Sequence, residues 1–194
     1  MKTMSMSPIW LRLRRAAADM LADRRGIAAT EFAVIVPIML VMFFGTVEFS
    51  SGVAVDRKVT LMARTLSDLT SQSTSVTDSD LTNFFAASAG IMTPYSATPT
   101  QSTITELYVD PKTLAARVQW SRGNSARAAG TTVTIPTALK VGGTYLIFSE
   151  VNYKYVPAVG YVLAPAGINL SDVSYTRPRQ SSCVMYKTTA CTTL

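Results

Sequence analysis

From Phe32 to Val47 the chain reads FAVIVPIMLVMFFGTV, sixteen positions without a charge. At about 1.5 Å per helical residue this covers roughly 24 Å. Adding Ile27–Thr30 before it and Phe49–Val55 after it reaches the ~30 Å of a hydrocarbon layer. β-Branched and aromatic residues cover every side of the run instead of one stripe, which predicts a membrane-spanning helix over a buried core helix. Glu31 and Glu48 fall near the two interfaces. Pro37 cannot donate to the Ala33 carbonyl, so a kink is expected there, with Gly45 as a second soft point.

The helical pattern continues past the apolar run but changes character. Val55, Val59, Met62, Leu66 and Leu69 recur at +4, +3, +4 and +3, one stripe suited to docking on the chain's own domain, with coiled-coil-like packing on a partner helix as the alternative. Arg64 and Asp68 are spaced as an i,i+4 pair. Thr70–Thr77 is a polar break, after which Asp78 or Ser79 is placed to cap a short helix ending near Gly90.

After Pro94 and Pro99 the period becomes two. Thr103–Val109 and Leu114–Trp120 flank Asp110-Pro111-Lys112-Thr113 as a hairpin, with Ala116, Val118 and Trp120 on one apolar face. Thr131–Ile135 is a short strand stopped by Pro136. Tyr145–Val156 is the strongest strand, with Tyr145, Ile147, Val151, Tyr153 and Tyr155 on one face as core and cross-strand packing. Val159–Leu163 is expected to return as a partner, and Val173–Thr176 supplies a last strand. The pattern predicts an α+β chain in which a long N-terminal transmembrane helix continues into a mainly antiparallel β-sheet domain. Its parts are a basic leader over residues 1–26, the spanning helix over 27–52 and an exported α+β domain over 53–194.

Charge sets the orientation. Before Ile27 stand Lys2, Arg12, Arg14, Arg15, Arg24 and Arg25 against only Asp19 and Asp23, so most of the net charge of +6 belongs to the leader. Arg24 and Arg25 adjoin the membrane segment, and the positive-inside tendency keeps them in the cytoplasm with the C-terminal domain outside. A cleaved secretory signal is the competing reading, on the small-x-small triplet Gly52-Val53-Ala54. The concentration of charge in the leader, and the lack of a basic run interleaved with aromatics elsewhere, argue against nucleic acid as a partner.

With no histidine in the chain, the commonest general base and the His-containing triads are absent. Most zinc sites need histidine as well, and no phosphate-binding glycine loop is present. The reading is therefore a non-enzymatic protein with no metal, no cofactor and no small-molecule substrate. Cys183 and Cys191, eight apart, either close a loop worth roughly 2–3 kcal/mol in an oxidising compartment or stand as free thiols. The Arg177-Pro178-Arg179 segment carries no assignable chemistry.

One carboxylate at the mouth of the apolar run asks for a reason, since a charge near hydrocarbon costs about 2–4 kcal/mol. The surrounding stretch, GIAATEFAVIVPIMLVMFFGTVEF, resembles the TadE-like family of tight-adherence (Flp) pilus assembly proteins, which are membrane-anchored pseudopilins. The phrases SDLTNFFAASAGIMTPY, ITELYVD, VQWS, SEVNYKYVP and YTRPRQSSCV are similar to that family too. The resemblance implies a pseudopilin-like fold and a leader removed by a prepilin peptidase of the inner membrane. The cut falls between Gly26 and Ile27, making Glu31 the fifth residue of the mature chain, followed by Phe32 where the family has tyrosine or phenylalanine. A glycine lets an extended backbone approach the peptidase closely. The new amino group on Ile27 offsets the charge of Glu31, within one chain or between neighbours.

The implied partners are the inner membrane, the prepilin peptidase, other Tad pseudopilins and the pilus assembly platform. A domain far larger than the tiny major Flp pilin makes a minor or accessory component the expected role. Two other classes compete: a membrane-anchored binding or adhesion domain unrelated to filaments, and an anchored hydrolase built on a carboxylate pair.

Overall fold

The computed structural model describes residues 8–22, 25–157 and 166–191. The chain divides into two compact units, residues 1–47 and 48–194.

The described residues of the first unit are helical. α1 spans Pro8–Ala22 and α2 spans Arg25–Ser71, the latter continuing into the second unit. Proline costs α1 nothing at its first position, where the missing N–H would have no intrahelical partner. Pro37 lies inside α2 without ending it. Thr30 and Thr46 donate their hydroxyls to the carbonyls of Ile27 and Met42, each at 2.8 Å, so these polar side chains are satisfied within the helix.

The second unit is an antiparallel sheet with the C-terminal part of α2 on one face. Its strands are β2 (Thr100–Val109), β3 (Ala116–Gly123), β4 (Thr132–Val133), β5 (Tyr145–Tyr155) and β6 (Ile168–Thr176), in the order β4-β3-β2-β5-β6. A separate pair joins β1 (Ser75–Val76) in parallel to β7 (Met185–Tyr186). The stripe of α2 is the core: Val55, Val59, Met62 and Leu66 are fully buried against Ile104, Ile147, Val151 and Trp120 of the sheet. Burying each such side chain contributes about 1.5–3 kcal/mol. Small polar residues let the backbones approach. Ser149 donates to the Ala63 carbonyl at 2.5 Å, and Ser67 bonds Ser174 and Thr176 at 2.9 and 3.0 Å.

The opposite face of the sheet carries a second core of Leu107, Val109, Ala116, Val118, Leu146 and Phe148, together with Ile135. Tyr175 stacks on Phe148 at 4.7 Å between centroids, and the guanidinium of Arg127 sits 5.5 Å above the same ring. Arg127 also forms a two-pronged ion pair with Glu150, which holds its pKa above the ordinary arginine value.

Several local expectations need correction. Trp120 does not share a face with Ala116 and Val118. Val118 pairs with Leu107 and Trp120 with Glu106, so Gln119 is one extra residue in β3. Such a bulge switches the side-chain alternation, sending Trp120 to the helix side. The helix α3 (Asp78–Ala89) is capped by Thr77, one residue earlier than expected, in a reciprocal box with Asp80. Asp68 pairs with Arg179 at 2.6 Å, where the i,i+4 spacing had suggested Arg64. That contact, with the Arg179 amide donating to the Ser71 carbonyl at 2.9 Å, gives the Arg177-Pro178-Arg179 segment a structural role. It fastens the chain to the end of α2.

The Asp110 turn matches expectation. Asp110 Oδ1 accepts from the amides of Lys112 and Thr113 at 2.7 and 2.9 Å, and Leu114 takes the left-handed conformation at φ 55°. Val159–Leu163 falls outside the described residues. β6 starts at Ile168, earlier than the expected Val173, and pairs with β5 along nine positions.

Candidate functional site

Gly26, Ile27, Glu31 and Phe32 all lie in the first turns of α2, and Glu31 is exposed. Ile27 is 55% and Phe32 69% exposed. A Cβ built on Gly26 meets nothing within 4 Å, so the fold of this chain makes no demand for glycine there. Helices start with unsatisfied amides, and an interior glycine costs about 1 kcal/mol relative to alanine. The Gly26–Ile27 bond thus lies in the first turn of α2, where the amides have no intrahelical acceptor. Arg24 lies outside the described residues, and of Arg25 only its place as the first residue of α2 is described.

The apolar surface that follows is unburied. Ile38, Met39, Val41, Met42 and Phe43 are each 60% exposed or more. None of the most apolar stretch of α2 is buried, and the helix has the length and apolarity to cross a membrane once. A soluble core helix would bury these side chains.

Two features in the second unit were not anticipated. The first surrounds Glu106, which is 1% exposed on the helix side of β2. Its Oε1 accepts from the Val184 amide at 2.6 Å, while the Trp120 indole donates to the Val184 carbonyl at 2.8 Å. Burial raises the Glu106 pKa to about 7, against the lowering effect of the Val184 amide and Trp120. Cys183 and Cys191 are joined in a disulfide with Cα atoms 6.4 Å apart, and both sulfurs lie within 4.8 Å of a Glu106 oxygen. The three side chains have ligand-type atoms, but with the sulfurs joined to each other the cluster holds a disulfide over a buried acid. The signal was in ITELYVD, where Glu106 shares parity with the core residue Ile104.

The second is an apolar groove of about 370 Å³ lined by Phe49, Gly52, Val53, Tyr155, Ile168 and Leu170. At its edge the Tyr155 hydroxyl donates to Glu48 Oε2 at 3.0 Å. Burial first, and then the Glu48 carboxylate, push the Tyr155 pKa up to about 12. Glu48 read from sequence only as an interfacial charge; its partner comes from a strand more than a hundred residues away.

Among the described residues the chain has one unburied apolar helix of spanning length and an α+β domain after it. A family model described as TadE-like protein matches residues 26–66, the same family that the GIAATEF stretch resembles. The match begins at Gly26 and ends at Leu66, the last fully buried position of the α2 stripe, so it contains no part of the sheet. No curated protein and no solved structure matches the chain.

Proposed function

We propose that this protein is a minor, non-enzymatic component of a tight-adherence pilus assembly system. The leader faces the cytoplasm, α2 crosses the inner membrane and the sheet domain lies in the periplasm. A prepilin peptidase cuts between Gly26 and Ile27, after which the new amino group of Ile27 neutralises Glu31. The protein then primes the fibre, joins it in small amounts or links it to the assembly platform.

The observation that carries this reading is the TadE-like match beginning at Gly26, on a helix whose apolar surface is unburied. Support also comes from Gly26 itself, a glycine with no steric reason in its own fold, as a protease that needs close backbone approach would require. The basic leader supports the orientation.

The test is N-terminal sequencing of the protein from cell envelopes together with Glu31→Ala. The expected results are a mature chain starting at Ile27, and loss of pili while the variant protein still accumulates. An uncut chain, with Glu31→Ala cells piliated as before, overturns the proposal and leaves the second reading, a tethered binding domain. The apolar groove beside Tyr155 is the observation that favours that alternative.

A further inference from the structure

α1 is amphipathic in a specific way. At 100° per residue, Leu13, Ala16, Ala17 and Met20 fall within one sector of about 100°. Arg12 and Arg14 flank that sector on either side, Asp19 falls about 20° beyond Arg12, and Arg15 lies opposite. Leu13 is 61% and Met20 82% exposed, so the apolar stripe is open. Only Asp23 and Arg24 separate α1 from the start of α2. Two or three extended residues reach at most roughly 10 Å, close to the Debye length of about 8 Å at physiological salt. With α2 inserted, the C-terminal end of α1 stays within that reach of the bilayer surface.

We infer that α1 lies in the plane of the membrane on anionic lipid, with Leu13, Ala16, Ala17 and Met20 in the headgroup boundary and Arg12 and Arg14 on lipid phosphates. The occupant follows from two things together. The stripe is apolar and open, and it is bordered on both sides by a cation, Arg12 on one and Arg14 on the other. A short basic amphipathic helix tethered at an interface binds by adding electrostatic attraction to modest apolar burial. The consequence is positional: an in-plane α1 fixes the depth of Gly26–Ile27 at the membrane surface, where a membrane-embedded protease meets the chain. The inference rests on α2 spanning the bilayer and holds whether or not the chain is cut.

The test is amide hydrogen exchange on the uncut full chain, one copy per nanodisc. The discs contain either phosphatidylcholine alone or phosphatidylcholine with phosphatidylglycerol. Exchange across residues 8–22 is expected to slow by at least about ten-fold in the phosphatidylglycerol discs relative to the neutral ones. R12Q/R14Q, which keeps helix propensity, and L13Q/M20Q are each expected to return most of that protection. Unchanged protection in β2 and β5 serves as the check that the domain is folded in every sample. Rapid exchange of residues 8–22 in the phosphatidylglycerol discs overturns the inference. Equal protection in both lipids, or protection insensitive to the arginine substitutions, overturns the anionic surface as the partner. Failure of the processing proposal leaves this result untouched, because the chain measured is the uncut one.

Discussion

The Glu106 carboxylate, 1% exposed, accepts the Val184 amide hydrogen at 2.6 Å, so one buried acid tethers the C-terminal segment to the middle of the sheet. Burial raises its pKa from 4.5 to about 7. The folded state therefore holds a proton that the unfolded state has released. The stabilising contribution is full below about pH 4.5 and is lost as pH rises through about 7. The whole effect is on the order of 3 kcal/mol. Glu106→Gln keeps an acceptor for Val184 and removes the titration. Urea unfolding of the detergent-solubilised chain at both ends of that window checks this, and a variant with the same pH slope as the parent refutes it.

Replacing both Cys183 and Cys191 by serine opens a short loop and is expected to cost about 2–3 kcal/mol. The loss is concentrated in the segment that carries β7, because the β1–β7 pairing is only two residues long. Hydrogen exchange should rise around Val184 and Tyr186 while β2 and β5 stay protected. A uniform loss across the sheet would mean that the loop is integral to the core.

Gly123→Ala is expected to destabilise the domain by more than about 3 kcal/mol. The residue sits at φ 130°, and an added Cβ meets the Ser102 carbonyl oxygen at 2.2 Å, backbone that cannot rotate away. Gly130→Ala, at φ 81° with open space around it, is the control and should cost far less. Chemical denaturation of the two variants separates the effects.

Leu66→Ala should cost about 2–5 kcal/mol, because the side chain is fully buried between helix and sheet. Arg179→Ala should cost less than about 1 kcal/mol, since both partners of its pair with Asp68 are substantially exposed. Equal losses from the two would show that the end of α2 is held by the ion pair as much as by the stripe.

The legible parts of this fold are those with a sustained period. The Val55–Leu66 stripe and the alternation of Tyr145–Tyr155 each repeat often enough to fix a face. The Gln119 bulge was hidden because Ala116, Val118 and Trp120 read as unbroken alternation; nothing local marks the inserted residue. β1 and β7 were illegible because two-residue strands carry no pattern, and their pairing depends on Glu106 and the C-terminal loop arriving from far along the chain. At the candidate site, Gly26 and Glu31 stood out because an acid amid apolar residues is costly. The buried Glu106 was missed because a strand's parity assigns its faces only once the helix side is known.

β6 pairs with β5 and, among the described residues, has no strand on its other side. Near its centre Asp172 Oδ1 takes the Val173 amide hydrogen at 2.8 Å, placing a negative charge on a rim that would otherwise invite another strand. Copies confined to two dimensions meet at local densities far above those in free solution. A guarded rim lets such a population stay crowded without zipping into continuous sheets, so lateral traffic would be governed by helices and ordered surfaces instead of by sticky backbone.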